Sequence, residues 1–347
     1  MFRIGIVGTG STFGIAHYHA IGVMQDRRAA IAAVYSSSTE KAGKWVCDHN
    51  LSAVVCRSYE ELLSKVDAVV ICTPNSYHCS MALQAAKAGK HLLVEKPVAV
   101  SAGECELLKE TCLNSGKTSM VGFAYRFSGA VVGARKLISQ RMGNVYLFSA
   151  WLGGRRLADP SLPIEWRMKR NISGSGALGD FGSHAVDLAF YLCNQRYEEV
   201  SCMTQTFIKD RLSDGVLAEV ENDDVALFMG RGPNGMGSFS MSRIGMAEPR
   251  FVITGEGGLV EIDLSGTGHV AYMEKKPSGK YLGKVRDIGL ENPNDFQAMI
   301  SAQMTAFIDS MEGKTVPVAD FGQGCYVESV LLAAEKSSKT ECRQCTV

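Results

Sequence analysis

The chain lacks net charge and has no stretch dominated by one sign: 36 lysines and arginines balance 36 aspartates and glutamates over 347 residues. That excludes the electrostatic footprint of a nucleic-acid or anionic-membrane binder. No apolar run approaches the roughly 20 residues that a membrane-spanning helix needs. The opening "MFRIGIVGTG" passes directly into a strand and a glycine turn, an opening that is not expected of a signal peptide. Regular cysteine spacing is absent too. The 11 cysteines are scattered and several sit in apolar segments, as Cys72 does in "AVVICT", which fits free thiols in a reducing, cytoplasmic setting. Cys342 and Cys345 are a close pair, but no second pair completes a zinc site, so no metal is expected. There is no internal repeat and no low-complexity segment. What is present is a globular composition, 46% hydrophobic and 21% charged, long enough for two domains and suited to a small-molecule partner.

The first part of the chain alternates short apolar strands with helices. "RIGIVG", "IAAVYS", "AVVICT", "HLLVEK" and "TSMVGF" are apolar on both faces, as buried parallel strands are. Ser58 with Glu61 and Ser101 with Glu104 have capping-box spacing, and Gly89 ends "SMALQAAKA". A βαβαβ series of this kind predicts an α/β fold with an N-terminal Rossmann dinucleotide-binding domain over 1–122. Beyond it, "VYLFSAWL", "DVALFMG", "GSFSMS", "RFVITG" and "GLVEIDL" alternate with glycine-rich turns. These hairpins predict a C-terminal α+β domain over 123–347, with a large, mainly antiparallel open sheet. Helices are expected near 176–193, 294–312 and 322–338. The second carries an apolar stripe from Phe296 to Met311 whose methionines read as core filling.

The glycine turn "GTGSTFG" follows the first strand. Gly8 permits the turn, and Gly10 admits a pyrophosphate onto the amides of the next helix. The third glycine of the usual pattern is displaced to Gly14, leaving Phe13 in its place; Ser11 and Thr12 are either phosphate donors or plain turn residues. "CTPNSYH" ends another strand on the ligand edge of the sheet, so Thr73, Pro74 and Asn75 are candidates to face a nucleotide, while His78 reads as a satisfied surface histidine. "VEKP" ends a third strand there. Glu95 can hold a ribose hydroxyl and Lys96 can approach a reacting hydroxyl, with a surface ion pair as the alternative. Farther on, "GSGALGDFGSHAVDLAFYL" places Asp180, His184 and Asp187 on one helical face. That pattern suits an acid/base pair, a metal site lacking further ligands, or a cap with a core histidine.

The glycine turn, "TPN", "EKP" and the Asp-x-x-x-His pair in "GALGDFGSH", in that order, resemble the glucose–fructose oxidoreductase / inositol dehydrogenase / MocA family nearly end to end. The resemblance implies hydride transfer between a nicotinamide and a carbinol carbon of a sugar, anhydrosugar or cyclitol. It implies Lys96 as the conspicuous catalytic residue, Asp180 as the group that orients substrate and lysine, and His184 as the proton acceptor in oxidation. "EWRMKR" matches a segment beside the nicotinamide, nominating Trp166 and Arg167; "GFAYRF" matches one lining the cleft, nominating Tyr125 and Arg126 for substrate. It also implies a homo-oligomer, dimer or tetramer, through the second-domain sheet. Two other readings share the fold: a cofactor-sensing regulator, whose kind tends to lose the lysine, and an NAD-dependent glycosidase.

Cofactor choice is read at the end of the second strand. An NAD-selective protein places an acid about 20 residues past the glycine turn. Here "AAVYSSSTEKAGK" puts Ser36, Ser37 and Ser38 at that place, with Lys41 and Lys44 nearby and Glu40 expected inside the next helix. NADP(H) is therefore favoured over NAD(H).

Overall fold

The computed structural model describes residues 1–10, 14–213, 215–245, 249–276, 278, 286–287 and 295–347. Two compact units divide the chain.

The first unit comprises Met1–Ala124 and Phe296–Glu328. In chain order it holds β1 (Phe2–Val7), α1 (Ile15–Gln25), β2 (Ala29–Tyr35), α2 (Thr39–Asp48), β3 (Val54–Val55), α3 (Tyr59–Lys65) and β4 (Ala68–Ile71). After these come α4 (His78–Lys87), β5 (His91–Val94), α5 (Ala102–Ser115) and β6 (Ser119–Val121). The six strands form one parallel sheet in the order β3-β2-β1-β4-β5-β6. Strand order reverses between β1 and β4, the point outside which doubly wound sheets bind ligands. Ile4, Ile6, Val70 and Leu93 are fully buried, as the two-sided apolar pattern requires. The expected caps form: Ser58 Oγ accepts from Glu61 N at 3.1 Å, and Ser101 Oγ from Glu104 N at 3.3 Å. Strand β3 has no counterpart in the sequence reading, because two half-exposed valines carry no periodicity.

The second unit comprises Tyr125–Asp295 and Ser329–Val347. It begins with α6 (Gly129–Arg141), β7 (Val145–Gly153), the short α7 (Arg170–Ser173) and α8 (Ala177–Cys193). Strands follow: β8 (Glu199–Gln205), β9 (Asp210–Ser213), β10 (Val216–Glu219), β11 (Val225–Gly232), β12 (Gly235–Ser242), β13 (Arg250–Gly255), β14 (Gly258–Asp263), β15 (His269–Glu274) and β16 (Arg286–Asp287). Helix α9 (Phe296–Met311) lies in the first unit, α10 (Phe321–Ser338) runs from the first into the second, and β17 (Cys345–Thr346) ends the chain described. Nine strands form the sheet β16-β15-β14-β13-β7-β12-β11-β8-β17, while β9 and β10 make a separate hairpin. The pairing is antiparallel except between β7 and β12, which lie parallel. Consecutive hairpins cannot produce that pair; it arises because β7 enters the sheet between strands that come much later in the chain. Helix α8 packs on β7, β11 and β12, covering one face. On the other, Trp151, Met203, Leu227, Met229 and Met236 are exposed.

The segment 296–328 departs from the contiguous division at 122/123. Helix α9 packs along α1 with Met299, Ile300, Met304, Phe307 and Ile308 buried, so the methionine stripe fills a core, but that of the first unit. Arg28 reinforces the contact, its Nη1 donating to Asp309 Oδ1 at 2.5 Å and to Glu312 Oε2 at 2.8 Å. Among the described residues no helix is long and apolar enough to cross a membrane.

Candidate active site

The ligand edge of the first sheet is built by close backbone approach. Gly8 has φ +95°, and a Cβ there would stand 2.5 Å from Cys72 O, so only glycine lets the turn after β1 lie against the turn after β4. Each of these turns carries a threonine whose hydroxyl is buried with no hydrogen-bond partner among the described residues: Thr9 Oγ1 and Thr73 Oγ1. Buried hydroxyls are normally satisfied, and these two stand open at the switch point of the sheet. Pro74 precedes a single 3₁₀ turn, Asn75–Tyr77, in which Asn75 is half-buried. Ser36 and Ser37 follow β2 directly, and Ser36 Oγ lies 3.8 Å from where a Cβ on Gly10 would stand. Ser38 Oγ caps α2 by accepting from Lys41 N at 3.2 Å, and Glu40 is in that helix's first turn, as expected. Lys44 instead turns along the helix to Asp48, at 2.8 Å. Ser11, Thr12 and Phe13 lie outside the described residues.

Glu95 is buried, and its Oε1 lies 2.8 Å from Nε2 of His19, itself completely buried on α1. His19 was not singled out in the sequence, where it is one of two histidines in "AHYHA"; only the folded contact distinguishes it. Lys96 follows, half-buried, and joins Pro97 through a cis peptide bond. His78 departs from the surface reading. It is buried, with Nδ1 2.7 Å from Pro97 O and Nε2 2.8 Å from Thr73 O.

In the second unit, α8 starts without a side-chain cap of its own, because Gly176 is the N-cap. Asp223 supplies the cap from outside: Gly176 N and Leu178 N donate to its two carboxylate oxygens, each at 2.8 Å, and Ala177 N donates to its carbonyl. The fit is tight enough that a Cβ on Gly176 would stand 1.9 Å from Asp223 O. Burial pushes the Asp223 carboxyl up, opposed by those helix amides. Asp180 follows in the first turn of α8 and His184 one turn later. The Tyr125 ring lies against the His184 ring at 4.6 Å between centroids, and burial, then the charge of Asp180, pushes the Tyr125 hydroxyl up to about 12. Tyr125, Asp180 and His184 thus form one cluster.

Asp187 leaves that cluster. Its carboxylate takes two bonds from Arg126, at 2.7 and 2.5 Å, with both side chains buried. Arg126 also lies over the Tyr191 ring, so its guanidinium is committed to the interior. Trp166 and Arg167 fall in a 3₁₀ turn pinned beneath by Met168, which is buried with Leu157 and Val220. The Arg167 guanidinium sits 4.4 Å from the Trp166 ring centroid and is half-exposed, while the Arg167 carbonyl accepts from Asn222 Nδ2, Ser173 Oγ and Arg243 Nη1. Asn222 and Asp223 were missed in the sequence. Their signal, polar residues just before a strand, is that of any turn.

Comparison with known proteins decides the family. Residues 2–123 match the model of the oxidoreductase family with an NAD-binding Rossmann fold, and residues 131–261 match the GFO/IDH/MocA C-terminal domain. The chain belongs to the Gfo/Idh/MocA family. Among its relatives is a levoglucosan dehydrogenase from Pseudarthrobacter phenanthrenivorans, 33% identical over 51% of this chain and 50% of that protein. A glucose-6-phosphate 3-dehydrogenase from Bacillus subtilis is 29% identical over 63% of this chain and 62% of that protein. The chain therefore matches between half and two thirds of the length of these relatives. The crystal structure of an oxidoreductase domain protein from Kribbella flavida superimposes with a TM-score of 0.90 at 26% identity, covering 100% of both chains. The first matched model is an NAD-binding Rossmann fold, and the residues here fit a dinucleotide: Gly8 admits the backbone approach, and the Thr9 and Thr73 hydroxyls lack partners among the described residues.

Proposed function

We propose that the chain is an NAD(P)-dependent oxidoreductase that moves a hydride between the nicotinamide and a carbinol carbon of a sugar, anhydrosugar or cyclitol. The observation that carries this reading is that Lys96, Asp180 and His184 are all retained, with His184 held by Tyr125 in the Asp180 cluster. Gly8, Gly10, Thr73, Pro74, Asn75 and Glu95 hold the dinucleotide, joined by Ser11, Thr12 and Phe13 of the sequence "GTGSTFG". Trp166 and Arg167 serve its nicotinamide end. When bound, the nicotinamide supplies the hydride acceptor or donor.

The protein's own part is proton transfer and orientation. Lys96 and His184 are the candidates to take the proton of the reacting hydroxyl, and Asp180 orients the substrate and the acceptor. Tyr125, protonated through neutral pH, donates a hydrogen bond rather than removing a proton. NADP(H) is favoured over NAD(H), since Ser36 and Ser37 offer neutral donors beside the glycine turn with no acid at the strand end. The open face of the nine-stranded sheet, lined by Trp151, Leu227 and Met229, is the surface through which a dimer or tetramer assembles.

The test is an absorbance screen at the reduced-nicotinamide band, with both cofactors, against inositols, aldoses, anhydrosugars and glycosides. Cofactor reduction with a free polyol supports the proposal. Binding without turnover of any substrate class would indicate a sensor, and release of free sugar from a glycoside without net reduction would indicate a glycosidase.

A further inference from the structure

His78 is not used by the proposed chemistry, yet it is buried between two turns that are. Thr73 belongs to the turn after β4 and Pro97 to the turn after β5, and these strands are parallel neighbours. Nδ1 of His78 lies 2.7 Å from Pro97 O and Nε2 lies 2.8 Å from Thr73 O. A carbonyl only accepts, so each ring nitrogen must donate to make its bond. Neutral imidazole has one N–H and serves one turn; imidazolium has two and serves both.

We propose that His78 is a positioning residue of the cofactor edge, tying the Thr73–Asn75 turn to the Glu95–Pro97 turn by one bond when neutral and by two when protonated. The inference rests on the proposed function, which assigns Thr73, Asn75 and Glu95 to the dinucleotide and Lys96 to proton transfer. Glu95 and Lys96 are charged groups that act on the ring: the first favours the imidazolium, the second opposes it, and both lie at or just past the end of β5. Burial is the largest influence and lowers the His78 pKa below its usual value. The second bond therefore forms as pH falls through that lowered value and is lost as pH rises through it.

The experiment is binding of NADH and of NADPH to the full-length protein, read by nicotinamide fluorescence against pH, for wild type, His78→Leu and His78→Gln. The Leu variant loses both ties and should raise Kd about ten-fold, the size expected for a lost hydrogen bond. The Gln variant keeps a donor for one carbonyl and should recover much of that loss at neutral pH. Wild type should bind more tightly as pH falls below the histidine range, and neither variant should share that change. Equal Kd in all three proteins, or the same pH dependence in all three, overturns the proposal. A wild type that binds neither dinucleotide overturns the underlying reading, and the proposal with it. If the Leu variant does not fold, isotope-edited NMR of the histidine ring nitrogens in wild type decides. Two protonated nitrogens on His78 at the acid end of the folded range support the double tie, and a single N–H throughout overturns it.

Discussion

Arg126 gives both arms of its guanidinium to Asp187 inside the second unit, where neither side chain meets appreciable solvent. Removing one partner leaves the other charged and buried, which costs about 3–5 kcal/mol. Arg126→Ala should therefore lower the unfolding midpoint far more than it alters substrate KM, and Arg126→Met with Asp187→Leu should recover most of the stability. Thermal denaturation beside steady-state kinetics checks this; a stable variant with a selectively raised KM would return Arg126 to the substrate. Tyr125 gives the opposite case. Its hydroxyl is pushed up to about 12, so it does not ionise near neutrality. Tyr125→Phe should slow turnover while leaving the shape of the pH–rate profile unchanged through the neutral range, and a lost limb in that profile would contradict the donor role. The placement of Asp180 and His184 one turn apart on α8 was legible because helical spacing is local. The pairing of Arg126 with Asp187 was not, since two residues 61 apart in sequence carry no sign of each other.

At the level of elements, the strands and caps of the first sheet could be read because burial on both faces and Ser-x-x-Glu spacing leave direct marks in the sequence. The cap of α8 could not, because Asp223 reaches it from a distant turn. The β2–α2 junction carries the cofactor prediction. Ser36→Asp adds a carboxylate after β2, and if the proposed NADP(H) preference holds, specificity constants should shift toward NAD(H). Strong wild-type selectivity for NAD(H), unmoved by the substitution, would contradict the role given to this junction. The α1–α9 contact carries a stability prediction. Asp26 and Asp309 are held below the usual carboxylate range, chiefly by hydrogen bonds from Arg28. A depressed folded value stabilises above the unfolded pKa, and that contribution is lost as pH falls through the folded one. Arg28→Met should lower the melting temperature at neutral pH by on the order of 2–4 °C, and the gap to wild type should close in acid. A gap that is constant with pH would show that the ion cluster is not its source.

For the whole molecule, the two-domain plan was visible in the change from buried strands to hairpins, but the return of 296–328 to the first unit was not. An apolar stripe specifies that a helix is buried, not which core receives it; the packing of α9 on α1 settles that in three dimensions. The exposed face of the nine-stranded sheet belongs to this scale as well, since Leu227 is paired with Met203 and its other neighbour Ser240 with Trp151, giving a row that crosses four strands. Leu227→Lys with Met229→Lys should reduce the solution mass to that of a single chain, by light scattering, if this face joins copies. An unchanged oligomer would place the interface elsewhere. The account as a whole stands on hydride transfer assisted by Lys96 and His184. It is tested most directly by following reduced-nicotinamide absorbance over the polyol panel in wild type, Lys96→Met and His184→Ala, with cofactor binding measured on the same samples. The account predicts turnover in wild type, a fall of roughly 10²–10⁴-fold in each variant and cofactor binding retained in all three. Near-normal turnover in both variants, or bound cofactor that no polyol reduces in wild type, would contradict it.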